Sequence, residues 1–481
     1  MKQLRAMSIA AVIAAATAAC TDEADTPLEP ASSASVTAAG AAQVTTNADA
    51  GPGSFRRAVD RANENPAIGQ IRFHAGLGTI ALRRPIVFSG SQALTIDATG
   101  ASLDGNGLAG TDAALVAEGG GDLTIRRLVV HRAPGNGITV AVPADAGGTI
   151  RVQLEEVTIR GNALHGVLIN DQAEYLSDPA SESDAGSNAS IAVRVTGSTF
   201  ELNGLGALDY DGLRVNEGGR GDINAIVSSS RFVGNGADGL ELDERAVGDA
   251  VFTLSQVDLN RNGSFSTEDL DDGIDVDEAG DGSVIGRFER VSANSNSEQG
   301  VDLNENGAGE LRVVMHQVEA LGNAEEGIEF EEDDDVAGGG DLEAELDHVT
   351  TRRNGGIGGD AGLKLREKGP GNLTARLLNV VSTNNAIAGI LVQEDENGKL
   401  AAELVGVETL SNGGDGIKLD ENGAGNLMGR IRTATSRRNA NAGVALEQEP
   451  SGTGEVRIQS LAGGGNLEGD VAADAGVSVI R

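Results

Sequence analysis

Apolar and polar positions along the chain alternate in short bursts that return on a fixed period. In residues 389–415, counted from Gly389 as zero, apolar or small side chains stand at +1 and +3 (Ile390, Val392), at +11, +13 and +15 (Leu400, Ala402, Leu404) and at +18 and +20 (Val407, Thr409). Alternation with period two predicts three short strands, each with one inward face; no stretch of the unit has a helical period. Gly and Asn fill the gaps, which is turn chemistry because both tolerate left-handed backbone. The opening Gly-apolar-x-apolar quartet recurs from Gly137, Gly166, Gly212, Gly239, Gly273, Gly300, Gly327, Gly362, Gly389, Gly416, Gly443 and Gly476. Six of the eleven intervals are 27 residues and five are 27 plus an insertion. A fixed period of this size predicts stacked units, not one globular core.

Position +23 strengthens that reading. Once insertions are allowed for, it holds Asn162, Asn203, Asn235, Asn262, Asn296, Asn323, Asn354, Asn385, Asn412, Asn439 and Asn466. Stacked strands lie about 4.7–4.9 Å apart, so each amide can donate to the next and form a column. A generic turn role explains any one of these asparagines but not eleven in register. With these motifs the chain resembles the right-handed parallel β-helix proteins, the pectin-lyase-like superfamily, over roughly residues 43–481. The resemblance implies an all-β right-handed parallel β-helix with about 27 residues per coil. Leucine-rich repeats also stack Asn, but their Leu-x-x-Leu-x-Leu pattern is missing here.

The N-terminal region divides further. Residues 1–20 read as an export signal: Lys2 and Arg5, an apolar run through Ile9, Val12 and Ile13, then small residues ending Thr17-Ala-Ala-Cys20. This ending resembles the lipobox of bacterial lipoproteins, which implies lipidation at Cys20 and, with Thr21 following, an outer-membrane destination. Thr17 stands where the usual Leu would be, and plain secretion (or a periplasmic location) is the alternative. Cys20 is the only cysteine, so no disulfide is expected although the destination is oxidising. Residues 21–42 are rich in Thr, Asp, Glu, Pro, Ser and Ala without periodicity, and read as a disordered tether. Residues 43–135 read as an N-terminal cap and irregular coils. There Ser54 caps a helix with an apolar face of Phe55, Ala58, Val59 and Ala62. The Gly-Pro-Gly-Ser-Phe-Arg stretch is similar to the Gly-Ser-Leu-Arg segment opening many bacterial surface β-helices. Residues 136–481 are the regular repeats. Insertions fall only at the first turn (the Asp171–Asn188 and Asp333–Gly340 loops) and between the ladder Asn and the next Gly. They form either the rim of a binding surface or neutral drift at solvated corners. The chain closes two residues after Gly476-Val-Ser-Val, and an open strand edge invites end-to-end self-association.

Charge narrows the function classes. The sequence has 36 basic against 73 acidic residues, net −37, so nucleic acid is not an expected partner. The acidic groups are ordered. Position +5 reads Asp171, Glu217, Glu244, Glu278, Glu305, Glu332, Glu367, Glu394, Glu421, Gln448. Position +2, outward on the first strand, holds Glu241, Asp275, Asp302 and Glu329 between Arg214 and Lys364; position +4 adds Asp243, Asp277, Asn304 and Glu331. Like charges one coil apart repel by roughly 0.9 kcal/mol in water. Side chains splaying into solvent would relieve this, and so would bridging Ca²⁺, which suits oxygen-rich clusters. The candidate metal ligands are therefore Glu241, Asp243, Asp275, Asp277, Asp302, Glu329 and Glu331, with Ca²⁺ the one cofactor considered.

Catalytic signals are weak. Asp271-Asp272 is a pair, but the Gly-His-Gly and Arg-Ile-Lys motifs of polysaccharide-cleaving relatives are missing; Leu164-His165-Gly166 and Arg430-Ile431-Arg432 are the nearest phrases. The five histidines, His74, His131, His165, His316 and His348, share no repeat offset, so no column of metal ligands or acid–base groups is expected. With no Trp, two Tyr and nine Phe, sugar platforms are scarce, and Phe252 and Phe288 read as core. The expectation is a non-catalytic surface scaffold or binding lipoprotein for a polysaccharide or surface protein. A polysaccharide lyase or glycoside hydrolase is the alternative.

Overall fold

The structure is a computed structural model, and it describes residues 40–172, 175, 185–267, 270–333 and 339–481. Cys20, the stretch read as an export signal and residues 21–39 of the stretch read as a tether lie outside the described residues. Strand Gly40–Val44 falls at the end of the stretch read as tether, with Ala42 and Val44 buried.

Each coil places its first cluster in a 14-stranded sheet, while the second and third clusters share a 24-stranded sheet. Strands pair in parallel with their equivalents one coil on, as in Ile274↔Val301 and Val284↔Leu311. The inward positions fill a continuous apolar lumen. Phe200 and Phe232 stack at 4.6 Å, and Phe252 meets Phe288 edge-on at 5.4 Å. Helix Phe55–Glu64 is capped by Ser54, whose Oγ accepts from the Arg57 N–H, and buries Phe55, Ala58, Val59 and Ala62.

Three expectations need correction. First, the second and third clusters are often one strand, such as Ala250–Asn260 and Leu311–Leu321. The bend between them is made by a single left-handed residue: Gln256, Arg290, Gln317 and His348 have φ of 55–57°. A second row of left-handed residues precedes the ladder Asn, at Arg261, Ser295, Arg353, Asn384, Ser411 and Arg438. Second, the quartet glycines are not needed for left-handed backbone, since none of Gly212, Gly239, Gly273, Gly300 or Gly327 has positive φ. A Cβ at Gly300 would lie 2.5 Å from both Asn323 Nδ2 and the Gly327 carbonyl oxygen, so crowding by the asparagine column enforces glycine. Third, Gly476 does not open a first-sheet strand. Val471–Ala473 occupies that rung, and Val477–Ile480 pairs in the larger sheet.

The asparagines form an unbroken column. Ten side-chain links run from Asn162 to Asn466 at 2.9–3.3 Å. Each interior Oδ1 accepts from both the backbone N–H and the Nδ2 of the preceding Asn, as Asn323 does from Asn296 (2.9 and 3.1 Å). The Asn323 Nδ2 also donates to the Ala293 carbonyl at 3.0 Å.

Candidate functional site

The outward row of the first sheet aligns Arg214, Glu241, Asp275, Asp302, Glu329 and Lys364 on successive strands. Its two ends are neutralised. Arg214 Nη1 lies 2.5 Å from Glu241 Oε2, and its Nη2 lies 3.4 Å from Asp243, which also pairs with Arg245. Lys364 pairs with Glu329 and reaches Glu331 at 2.8 Å, while Lys368 holds Glu331 at 2.5 Å. Five of the seven candidate ligands, Asp277 included, are thus in ion pairs. Asp277 lies 3.7 Å from Arg245.

The centre of the row differs. Asp275 and Asp302 face each other across one coil step, and the Oδ1 of each is out of contact with solvent and without a hydrogen-bond partner. The other Asp302 oxygen accepts from Asn304 at 3.1 Å. Burial first, and then the charges of Asp277 and Asp302, push the Asp275 carboxyl well above the usual range; burial and Glu329 do the same to Asp302.

Asp272, outside the set expected from sequence, completes the cluster. It stands immediately before the quartet glycine, where a further column runs along the axis. The Asp238 N–H donates to Asp211 Oδ1 at 3.0 Å, Asp272 N–H to Asp238 at 2.5 Å, and Gln299 N–H to Asp272 at 2.5 Å. Asp272, Asp275 and Asp302 offer oxygens that all lie within 4.8 Å of one another. They line a cavity of about 270 Å³ whose walls are almost wholly charged, with Arg214 and Arg245 at one end. Its sequence signal was the Asp-Gly phrase itself, repeated at 211, 238, 272 and 415. Calcium–oxygen bonds of about 2.3–2.6 Å set ligand oxygens roughly 3–5 Å apart, which matches this spacing.

Beside the trough, both tyrosines of the chain gather around His165. The His165 Nε2 and the Tyr175 hydroxyl are 3.0 Å apart, Tyr210 packs edge-on at 4.8 Å, and the Arg214 guanidinium covers the Tyr175 ring at 4.8 Å. The Asp211 N–H donates to His165 Nδ1 at 3.0 Å, so His165 starts the same column that ends in the acidic cluster.

The glutamates at +5 are a separate matter. Splaying into solvent does not occur: Glu217, Glu244, Glu278, Glu305, Glu332, Glu367, Glu394 and Glu421 are fully buried. Each folds back over its own turn, as Glu278 Oε1 does on the Gly280 and Gly282 N–H groups (2.9 and 3.2 Å). Several of these carboxyls also meet the glutamate one coil away, as Glu244 and Glu305 meet Glu278 and Glu367 meets Glu332. Burial and hydrogen bonding between neighbours raise Glu305 to about 8 and Glu367 to about 9, so these carboxyls share protons along the column. This row is structural.

No protein-family model matches the sequence, and no curated protein does either. Among solved structures the chain is similar to pectate lyase Pel9A (14% identity, 65% of this chain and 79% of that one, TM-score 0.42). It is also similar to the periplasmic alginate epimerase AlgG (11%, 82% and 78%, TM-score 0.35) and to the catalytic domain of a GH87 alpha-1,3-glucanase (10%, 91% and 68%, TM-score 0.38). The fold is the right-handed parallel β-helix. At these identities the likeness is one of fold type and says nothing of activity.

Proposed function

We propose that this β-helix is a binding protein of the cell envelope whose first-sheet trough holds a divalent cation, Ca²⁺ by its chemistry, and presents it to an oxygen-rich ligand such as a polysaccharide. The supporting observation is the pair of unpartnered, solvent-shielded oxygens on Asp275 and Asp302, in a row whose other carboxylates have cationic partners. A hard cation bound by oxygens relieves the repulsion that otherwise has to be relieved by protonation. Lipidation at Cys20 would tether the protein to the outer membrane, and a diacylglyceryl-sized mass on the mature N-terminal residue is the expected observation. Cleavage elsewhere, or an unmodified Cys20, rules the tether out.

Ca²⁺ at one hundred times its dissociation constant should stabilise the fold by about 2.7 kcal/mol, seen as a rise in melting temperature. Asp275→Asn and Asp302→Asn should each abolish most of that rise. A melting curve indifferent to millimolar Ca²⁺, or a rise that survives both substitutions, removes the proposal.

A second reading is favoured by the same three carboxyls. Groups forced to share protons can supply one acid and one base, the equipment of a glycoside hydrolase. New reducing ends from neutral or acidic glycans, lost in Asp272→Asn, would support it. Unsaturated products would indicate a lyase instead.

A further inference from the structure

We propose that His316, Asp347 and His348 form a second metal site, selective for an imidazole-preferring cation of the Zn²⁺ class and separate from the acidic trough. His316 and His348 share no repeat offset, yet the two meet on adjacent coils. His316 pairs in register with Asp347, 31 residues on, which is four more than the repeat of 27. With those four residues allowed for, His348 stands one position past the equivalent of His316 on the next coil, so the two are neighbours without sharing an offset.

The local backbone completes the arrangement. Consecutive residues of a regular strand point to opposite faces, so Asp347 and His348 would normally diverge. His348 is one of the left-handed bend residues, with φ of 55°, and its Nδ1 lies 2.7 Å from the Asp347 Oδ1. From the coil before, the His316 Nδ1 lies 3.2 Å from the Asp347 Oδ2. The rings stand 5.7 Å apart at 72°, and one donor atom from each of the three residues falls within 4.8 Å of the others. Zinc bonds of about 2.0–2.1 Å in a tetrahedron place donor atoms roughly 3.3 Å apart, so small side-chain rotations suffice. Asn379 Nδ2 donates to Asp347 Oδ1 at 3.1 Å and orients the carboxylate, the kind of outer support that metal ligands need. Glu289, one coil before His316, pairs with Arg290 at 2.9 Å, which leaves three protein ligands and room for water.

The two sites differ in ligand class. Carboxylates alone suit Ca²⁺, whereas two imidazoles and a carboxylate suit Zn²⁺, Ni²⁺ or Cu²⁺. Without metal the same triad is two imidazoles hydrogen-bonded to one carboxylate, and calorimetry separates the two cases. Titrating the purified exported protein with Zn²⁺, in millimolar Ca²⁺ to occupy the carboxylates, should give one equivalent of saturable binding. His316→Ala and His348→Ala should each weaken it by at least about tenfold, a scale reached even by residues that only support ligands. Asp275→Asn should leave it unchanged. Both histidines are partly exposed, so melting temperatures close to that of the parent are expected and separate lost binding from lost folding. Co²⁺ should show visible absorption that disappears in the same two variants. Absence of stoichiometric binding, or Zn²⁺ affinity unchanged in both histidine variants, overturns the proposal.

Discussion

Asn323→Ala is expected to destabilise the protein by roughly 2–5 kcal/mol, because it strands buried polar groups on two neighbouring segments of backbone. The Asn296 N–H and Nδ2 both lose the Oδ1 they donate to, and the Ala293 carbonyl loses its Nδ2 donor. The site is closed to water, since Asn296 and Asn323 are 3% and 1% exposed, so solvent cannot replace the lost partners. Asn323→Asp should be worse, as it turns an oxygen toward that carbonyl and buries a charge. Asn466→Ala is the control. Asn466 is only half-buried and has no following asparagine to donate to, so a clearly smaller loss is expected. Denaturant midpoints for the three variants check the ordering. Equal losses at Asn323 and Asn466 would mean the column contributes little beyond ordinary turn bonding.

The second large effect is a loss of stability toward alkaline pH. Six of the buried glutamates have folded-state values well above the ordinary 4.5: Glu217 to about 7, Glu305, Glu332 and Glu421 to about 8, Glu367 to about 9 and Glu244 to about 10. Burial is the first cause in each case. Between 4.5 and these values the folded chain binds more protons than the unfolded one, so stability falls as pH rises. Their contribution is intact below pH 4.5 and is lost as the column titrates, through about pH 7–10. Glu331, which Lys364 and Lys368 hold at about 2 despite burial, has the opposite sign and loses its contribution only in strong acid. The melting temperature should therefore fall steadily from weakly acid to pH 9. Glu305→Gln should flatten that fall, because charges one coil apart repel by about 1–3 kcal/mol in partly buried surroundings. The column itself contains the precedent: Gln448 takes the glutamate's place, and its Oε1 accepts the Leu427 N–H at 2.9 Å. A melting temperature that rises from pH 6 to pH 9 would refute the shared-proton column.

The parts of this molecule that are identical from coil to coil were readable, because stacking repeats a side chain only where it repeats an environment. Asn296, Asn323 and Asn412 announce the column, and Ile274 and Val276 announce an inward face. What was hidden depends on relations the residue type does not encode. Arg290 and Gln317 bend the strand through left-handed backbone that glycine would adopt more readily. Gly300 is small because an amide from another coil occupies its Cβ space. The outward acidic row showed where negative charge accumulates, but not that Arg214 and Lys364 neutralise its ends and leave Asp275 and Asp302 as its unpaired middle. Asp272 was visible only as half of the Asp271-Asp272 pair, because its place beside the row depends on a column carried by backbone N–H groups. His316 and His348 stand at adjacent, not equivalent, positions of neighbouring coils, so no repeat offset links them.

Because every winding contributes one rung to each column, the molecule can change length in whole repeats without disturbing its scaffold. Excising residues 300–326 would join Gln299 to Gly327 and set Asn296 directly beneath Asn354. The same cut would remove Asp302 and His316 together. Gene slippage in units of one winding would therefore leave architecture alone while deleting, duplicating or relocating whatever its outer surfaces hold.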